Sequence, residues 1–295
     1  MRAHHRGEAR FRSTFALSIL LALAALWPAT NNLPTANAKP ASGTSRPLVI
    51  AHRGGALEST ENTIAAFQRA VKIGADGIET DIRLTRDGVV VVYHDQYFGR
   101  MEGLAPPQCT RLVSDLTYSE LIKQTLVPVG EDLGGRRVPT LSELLSSVQS
   151  GLLNIELKRC DRFNDLVNKT IAILKPFPAL DRVVLEAPGL DTAKKLRKGL
   201  GSHLKLHINP EYDGTVSLPE SLKRALKFKP HSISVSYKKI SREIVELAHK
   251  AGVEVWTWTV NAPETAQAMA LMGVDAIKTD RPTMLLDLLR KQNGN

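Results

Sequence analysis

Cysteine is nearly absent: 295 residues contain only Cys109 and Cys160. That excludes a disulfide-dense scaffold, and no CxxC pair or Cys/His spacing is available for structural zinc. Apolar runs of membrane-spanning length are also missing. The stretch from Phe15 to Trp27 holds 13 uncharged residues, against the ~20 that a transmembrane helix needs. Aromatics make up 5% of the chain, and its lysines and arginines are spread out rather than gathered in a basic stripe interleaved with aromatics. This argues against a nucleic-acid surface. An excess of acid is lacking as well: 39 Lys+Arg against 30 Asp+Glu give a formal charge of +9, which suits the attraction of a small anionic substrate. The remainder, 43% hydrophobic and 23% charged with 20 Gly and 16 Pro, is the profile of a globular chain.

The first 38 residues read as an address. Arg2, Arg6, Arg10 and Arg12 precede the short apolar core, and a polar stretch leads to Ala36-Asn37-Ala38, a small-x-small site that predicts cleavage after Ala38 and a mature chain from Lys39. No cysteine lies near that site to take a lipid anchor. The expectation is a secreted or periplasmic protein with no stable membrane anchor once the signal is removed. In an oxidising compartment Cys109 and Cys160 have two options, a disulfide between predicted loops or two free thiols.

From Arg46 onward short β-branched runs alternate with amphipathic segments. Residues 48–52, 77–85, 89–94, 152–158, 182–187, 203–208, 232–237, 253–260 and 275–279 read as strands. Segments 140–149, 163–175, 190–199, 219–228, 241–251 and 263–272 read as helices. A further helix is expected to start near Glu61 with Thr60 as its N-cap and to close at Gly74. This alternation predicts a single α/β domain over 46–290, a (β/α)8 barrel of the TIM type. Nine strands are one too many. Asp87-Gly88 favours a tight hairpin turn, so 89–94 is expected to be the return arm of a hairpin rising from the second barrel strand. A two-residue loop would pair Arg86 with Val89 and set Asp81 opposite His94. Residues 95–139 form a long irregular insertion, with one helix expected around 116–123, placed where it can cover a site.

Barrels of this kind carry their sites at the C-terminal ends of the strands, and polar groups recur there. His52-Arg53 ends the first strand, Glu79-Thr80-Asp81 the second, His94-Asp95 the hairpin arm, and Glu156-Leu157-Lys158 the next barrel strand. Alternation puts Glu79 and Asp81 on one face, and Glu156 and Lys158 on one face. Glu79, Asp81 and Glu156 are hard oxygen ligands suited to Ca²⁺ or Mg²⁺. Arg53 offers a planar fork for phosphate oxygens and Lys158 a point charge. Two histidines, His52 and His94, can divide proton removal from a nucleophile and proton donation to a leaving alkoxide. Together these parts match the needs of a phosphodiester.

The ordered set of Ala51-His52-Arg53-Gly54, Glu61-Asn62-Thr63, Gly77 through Gly88, His94-Asp95, Asn154 through Lys158, Trp258 through Asn261, Gly273-Val274-Asp275 and Thr279 through Pro282 resembles the glycerophosphodiester phosphodiesterase family. That resemblance spans residues 48–282. It implies a TIM-type barrel, a divalent cation, and hydrolysis of a glycerophosphodiester to glycerol 3-phosphate and an alcohol. It makes His52 and His94 the general base and acid, Glu79, Asp81 and Glu156 the metal ligands, and Arg53 and Lys158 the phosphate holders. Trp258 would line the glycerol side, with Glu61 at the substrate site. Two departures stand out: Thr60 replaces a proline common in the family, and Lys278 stands at a position that is usually apolar there. Alternative readings keep the barrel but change the activity: a lysophospholipase D, a phospholipase C-like enzyme, or a binding protein. The retained histidines and carboxylates argue against the last.

Overall fold

The computed structural model describes residues 46–130, 133–210 and 217–292; the leader and its expected cleavage site lie outside the described residues. Nine strands form one sheet among the described residues: β1 (Leu48–Ala51), β2 (Gly77–Leu84), β3 (Val90–Val92), β4 (Leu152–Leu157), β5 (Val183–Ala187), β6 (Lys205–Ile208), β7 (Ser232–Ser236), β8 (Glu254–Trp258) and β9 (Ala276–Thr279). Their order is β1-β9-β8-β7-β6-β5-β4-β2-β3, and β1 also pairs with β2. That closing pair makes a parallel eight-stranded barrel, because β3 pairs only with β2, antiparallel. The ninth strand is the hairpin arm, as expected.

Its register differs by one residue. Ile82 faces Val92, Arg83 faces Val91 and Leu84 faces Val90, so Asp81 lies level with Tyr93, whose N–H donates to the Asp81 carbonyl at 2.9 Å. The loop has three residues, not two. Thr85 closes it with its N–H on the Val89 carbonyl at 3.0 Å, while its hydroxyl donates to Asp87 at 2.6 Å and accepts from the Val89 N–H at 2.9 Å. Gly88 supplies the left-handed residue, φ 80°, of a three-residue hairpin.

Helices α1 (Ile64–Lys72), α3 (Leu141–Ser147), α4 (Phe163–Leu174), α5 (Leu190–Leu200), α6 (Leu218–Phe228), α7 (Arg242–Lys250), α8 (Pro263–Met272) and α9 (Pro282–Gln292) surround the barrel. The apolar faces expected from the sequence supply the packing. Ala66, Phe67 and Ala70 of α1 are buried, and a buried aromatic such as Phe67 is worth roughly 1.5–3 kcal/mol over an exposed one. Helix α1 starts at Ile64 rather than Glu61, and Thr63 rather than Thr60 is its N-cap, accepting the Ala66 N–H at 3.2 Å. Asn62 explains the shift. It sits in the left-handed region at φ 56°, which a helix cannot include but asparagine tolerates. Helix α9 had no counterpart among the sequence-derived elements.

The 95–139 insertion carries one short helix, α2 (Tyr118–Leu121), within the expected span. Thr117 and Glu120 form its capping box. Met101, Val113, Leu116, Leu121, Leu126 and Val138 pack with Val91 and Tyr93 of the hairpin as a separate small core, so the insertion is bound to β3 as a folded unit. Cys109 and Cys160 are free thiols. Among the described residues no helix is long and apolar enough to cross a membrane.

Candidate active site

The chain leaves β1 through a sharp turn in which Arg53, Gly54 and Gly55 have φ of 52°, 84° and 97°. Three successive left-handed residues turn the backbone so that the Arg53 N–H donates to the Glu79 carboxylate on β2 at 3.0 Å. Gly54 is required on two counts. A Cβ there would lie 2.9 Å from the Ala66 Cβ and 3.1 Å from its carbonyl carbon, and the φ is wrong for an L side chain. Gly54→Ala is expected to cost about 2–4 kcal/mol of folding stability, read as a lowered denaturation midpoint. An unchanged midpoint would mean that the turn is not held as described.

The three carboxylates converge as expected. Glu79, Asp81 and Glu156 each place an oxygen within 4.8 Å of the others, and all three side chains are at least nine-tenths buried. The sheet explains the convergence: Asp81 and Glu156 are register partners across β2 and β4. Asn62 fixes Asp81, donating to Oδ2 at 3.0 Å while accepting from the Thr80 hydroxyl at 2.9 Å. The Lys158 ammonium lies 3.0 Å from Asp81 and 2.7 Å from Glu156. Burial opposes charge on Asp81, but Lys158, His94 and Arg53 outweigh it and hold this carboxyl well below its ordinary range. Glu79 goes the other way. Burial and its neighbour Asp81 push its carboxyl up, against the opposing pull of His52 and Lys278. Buried, all-oxygen and within 4.8 Å of one another, these carboxylates fit a hard divalent cation.

Both histidines are anchored at Nδ1 by a carboxylate. Asp280, just after β9, holds His52 at 2.6 Å, and Asp95 holds His94 at 2.7 Å. With Nδ1–H donating to the carboxylate, Nε2 is the free basic nitrogen. In His52 that atom is 3.8 Å from Glu79. Burial works against an imidazolium at His52, but Glu79 and Asp280 outweigh it and raise its pKa. Asp280 is itself held by Asn261, whose Nδ2 donates at 2.7 Å.

Arg53 and Glu61 are partners rather than separate features. Arg53 Nη1 is 3.2 Å from Glu61, and Arg53 Nε is 3.6 Å from Asp81. The shortened α1 releases Glu61 to face this arginine. Arg100, in the insertion, reaches Glu61 at 2.6 Å and also pairs with Asp95. The insertion is thereby tied to the carboxylate that orients His94. Trp258 ends β8 beside the same cavity, and its indole N–H is buried without a partner. The cavity measures about 260 Å³ and is lined by His52, Arg53, Glu79, His94, Glu156 and Lys158 together with Trp258, Glu186 and Lys278. The structure therefore brings together eight of the nine sequence-derived site residues directly at the cavity or its carboxylates, with Glu61 one contact behind through Arg53.

Asp280, Asp95, Arg100 and Glu186 carry no role in the sequence reading. A register line would have exposed Glu186: Asp81, Glu156, Glu186, His207 and Ser232 are successive partners on five neighbouring strands, so they share a face. An acid inside Val-Val-Leu-Glu-Ala was the available signal.

The sequence model of the glycerophosphoryl diester phosphodiesterase family matches residues 52–284. The chain belongs to this family. A glycerophosphodiester phosphodiesterase of Caldanaerobacter subterraneus is 36% identical over 251 residues, covering 83% of this chain and 98% of that protein. Human lysophospholipase D GDPD1 is 28% identical over 278 residues, covering 81% and 85%. A crystal structure of glycerophosphodiester phosphodiesterase from Thermotoga maritima superposes with a TM-score of 0.67 at 26% identity, covering 83% of this chain and 99% of that one. The glycerophosphodiester phosphodiesterase barrel described above is thus a phosphoric diester hydrolase.

Proposed function

We propose that this glycerophosphodiester phosphodiesterase acts outside the cytoplasm, cutting glycerophosphodiesters to glycerol 3-phosphate and an alcohol at a divalent-metal site formed by Glu79, Asp81 and Glu156. The observation that carries this reading is the meeting of a three-carboxylate cluster with two carboxylate-anchored histidines in one cavity. A Ca²⁺ or Mg²⁺ ion held there would offset phosphate charge and polarise a P–O bond. Arg53 and Lys158 position the diester's anionic oxygens, with Trp258 against its glycerol carbons. His52, poised by Asp280, takes the proton of the attacking hydroxyl. His94, poised by Asp95, gives a proton to the departing alkoxide, so the alcohol leaves neutral and the proton count is restored by solvent. The location outside the cytoplasm is supported by the Arg-rich start, short apolar core and Ala36-Asn37-Ala38 site; a chain recovered in the cytoplasm with residues 1–38 still attached would contradict it.

A lysophospholipase D reading is favoured by Leu57, Tyr97, Leu104 and Val127, large apolar side chains between 42% and 51% exposed, three of them in the insertion. Of the insertion's other apolar residues Met101 and Val113 are buried in its own core and unavailable to a lipid. The test is product analysis with two substrates. Glycerol 3-phosphate from glycerophosphocholine is the expected result. Choline from lysophosphatidylcholine, with nothing from glycerophosphocholine, would transfer the assignment to the second reading.

A further inference from the structure

The closed end of the cavity is built from an ion pair that the catalytic scheme leaves unused. Lys278 on β9 donates to Glu186 on β5 at 2.6 Å, with side chains only 4% and 2% exposed. In the barrel order, β9 and β5 are four strands apart in either direction, so the pair spans the barrel from wall to opposite wall. Barrel interiors are ordinarily filled by branched aliphatic layers. A buried ion pair in place of that filling contributes little net stability, because desolvation offsets the attraction. Both residues nevertheless line the cavity, next to Glu156, His52 and Trp258.

We propose that Glu186 and Lys278 are specificity-determining residues that recognise the glycerol hydroxyls of the substrate; this deepens, and rests on, the glycerophosphodiester reading above. A hydroxyl both donates and accepts. The ammonium has three N–H donors, one of them engaged by Glu186 Oε2, and the carboxylate is an acceptor at its side. The pair therefore offers a hydroxyl both complements at one point. Trp258 adds an unpartnered buried indole N–H on the same cavity. The phosphate is assigned to Arg53, Lys158 and the carboxylates, of which Glu156 adjoins the pair as the register partner of Glu186, so the glycerol half is placed toward the pair and the variable alcohol toward the mouth.

The same geometry bears on substrate class. An acyl chain on the glycerol would have to lie against a buried ion pair and leave it unsolvated, whereas a free diol satisfies it. Sites built to hydrogen-bond a hydroxyl reject analogues that lack it far more strongly than apolar pockets reject an extra methylene. The cavity of about 260 Å³ is also below the ~300–1,000 Å³ typical for drug-sized ligands. His207, behind the pair, lies 3.7 Å from Glu186 and donates or accepts at Ser232 over 2.6 Å. Burial and Lys278 hold its pKa well below the ordinary value, so it is a neutral support of the floor.

The experiment measures binding of sn-glycerol 3-phosphate and of inorganic phosphate by calorimetry, in the unsubstituted chain, in Lys278→Met and in the charge-free double variant Glu186→Gln/Lys278→Met. The double variant leaves no unpaired buried charge and keeps the test usable where the single one fails to fold. Glycerol 3-phosphate is expected to bind about tenfold or more weakly to the double variant, and inorganic phosphate within about twofold of the original, because that variant removes hydroxyl partners without changing the local net charge. Equal weakening of both ligands would show a merely structural role and overturn the proposal, as would unchanged binding of both. Failure of the glycerophosphodiester reading is seen separately, as absence of glycerol 3-phosphate release by the unsubstituted chain.

Discussion

His52→Ala is expected to lower kcat/KM for a glycerophosphodiester by about 10²–10⁴-fold, the usual range for losing a positioned proton-transfer group. The imidazole is held at Nδ1 by Asp280 and faces the carboxylate cluster with Nε2, so nothing else in the turn can take its place. Its neighbour Arg53 is a cation and cannot act as a base. The side chain is largely buried, but its loss removes a single hydrogen bond, to Asp280, which Asn261 still holds, and the 3.8 Å contact with Glu79, whose carboxylate still accepts the Arg53 N–H. The fold should therefore survive, with a circular dichroism spectrum like that of the original chain. His94→Ala is expected to act in the same direction, most strongly on substrates with poor leaving alcohols. Turnover of His52→Ala within about threefold of the original would remove this residue from the proton-transfer step.

Glu79→Gln is expected to uncouple stability from function. Burial and the adjacent Asp81 disfavour charge on Glu79, so neutralising it relieves repulsion in the metal-free chain. The amide keeps the size of the acid, and its carbonyl can still accept the Arg53 N–H. Without metal, the variant should unfold at the same denaturant concentration as the original or a higher one. Turnover should fall by about 10³-fold or more if Glu79 holds the proposed ion, since such an ion is worth several kcal/mol of transition-state stabilisation. Added Ca²⁺ or Mg²⁺ should raise the stability of the original chain far more than that of the variant, since only a site that binds gains by mass action. A variant that is both destabilised without metal and fully active would refute the assignment of Glu79.

The barrel and most of its site were legible because the sequence signals are local. Strand and helix periods alternate, and Glu79/Asp81 and Glu156/Lys158 sit two residues apart; Glu156 and Lys158 flank the end of β4 as expected, whereas Glu79 and Asp81 lie inside β2, which runs on to Leu84 as the first arm of the hairpin. Errors of one residue in the hairpin and three at the start of α1 arose where side chains overrode backbone preference. Thr85 and Asp87 widened the hairpin loop by one residue, and left-handed Asn62 delayed α1 until Ile64. That delay leaves Glu61 outside the helix, where it meets Arg53 and Arg100. What the sequence left hidden were partnerships over long separations. Asp280 meets His52 across 228 residues and Lys278 meets Glu186 across 92; only barrel closure brings them together. Helix α9 went unread because it follows Asp280-Arg281-Pro282, whose proline marks the first helical position rather than a break.

The most direct test of the metal-centred account is a titration. The chelator-stripped chain would receive increasing Ca²⁺ or Mg²⁺ while bound metal and glycerol 3-phosphate release are followed in parallel. Activity is expected to be absent at the start and to return in step with occupancy of a site that Glu79→Gln lacks. Full glycerol 3-phosphate release from the stripped chain, or metal binding unaffected by Glu79→Gln, would contradict it.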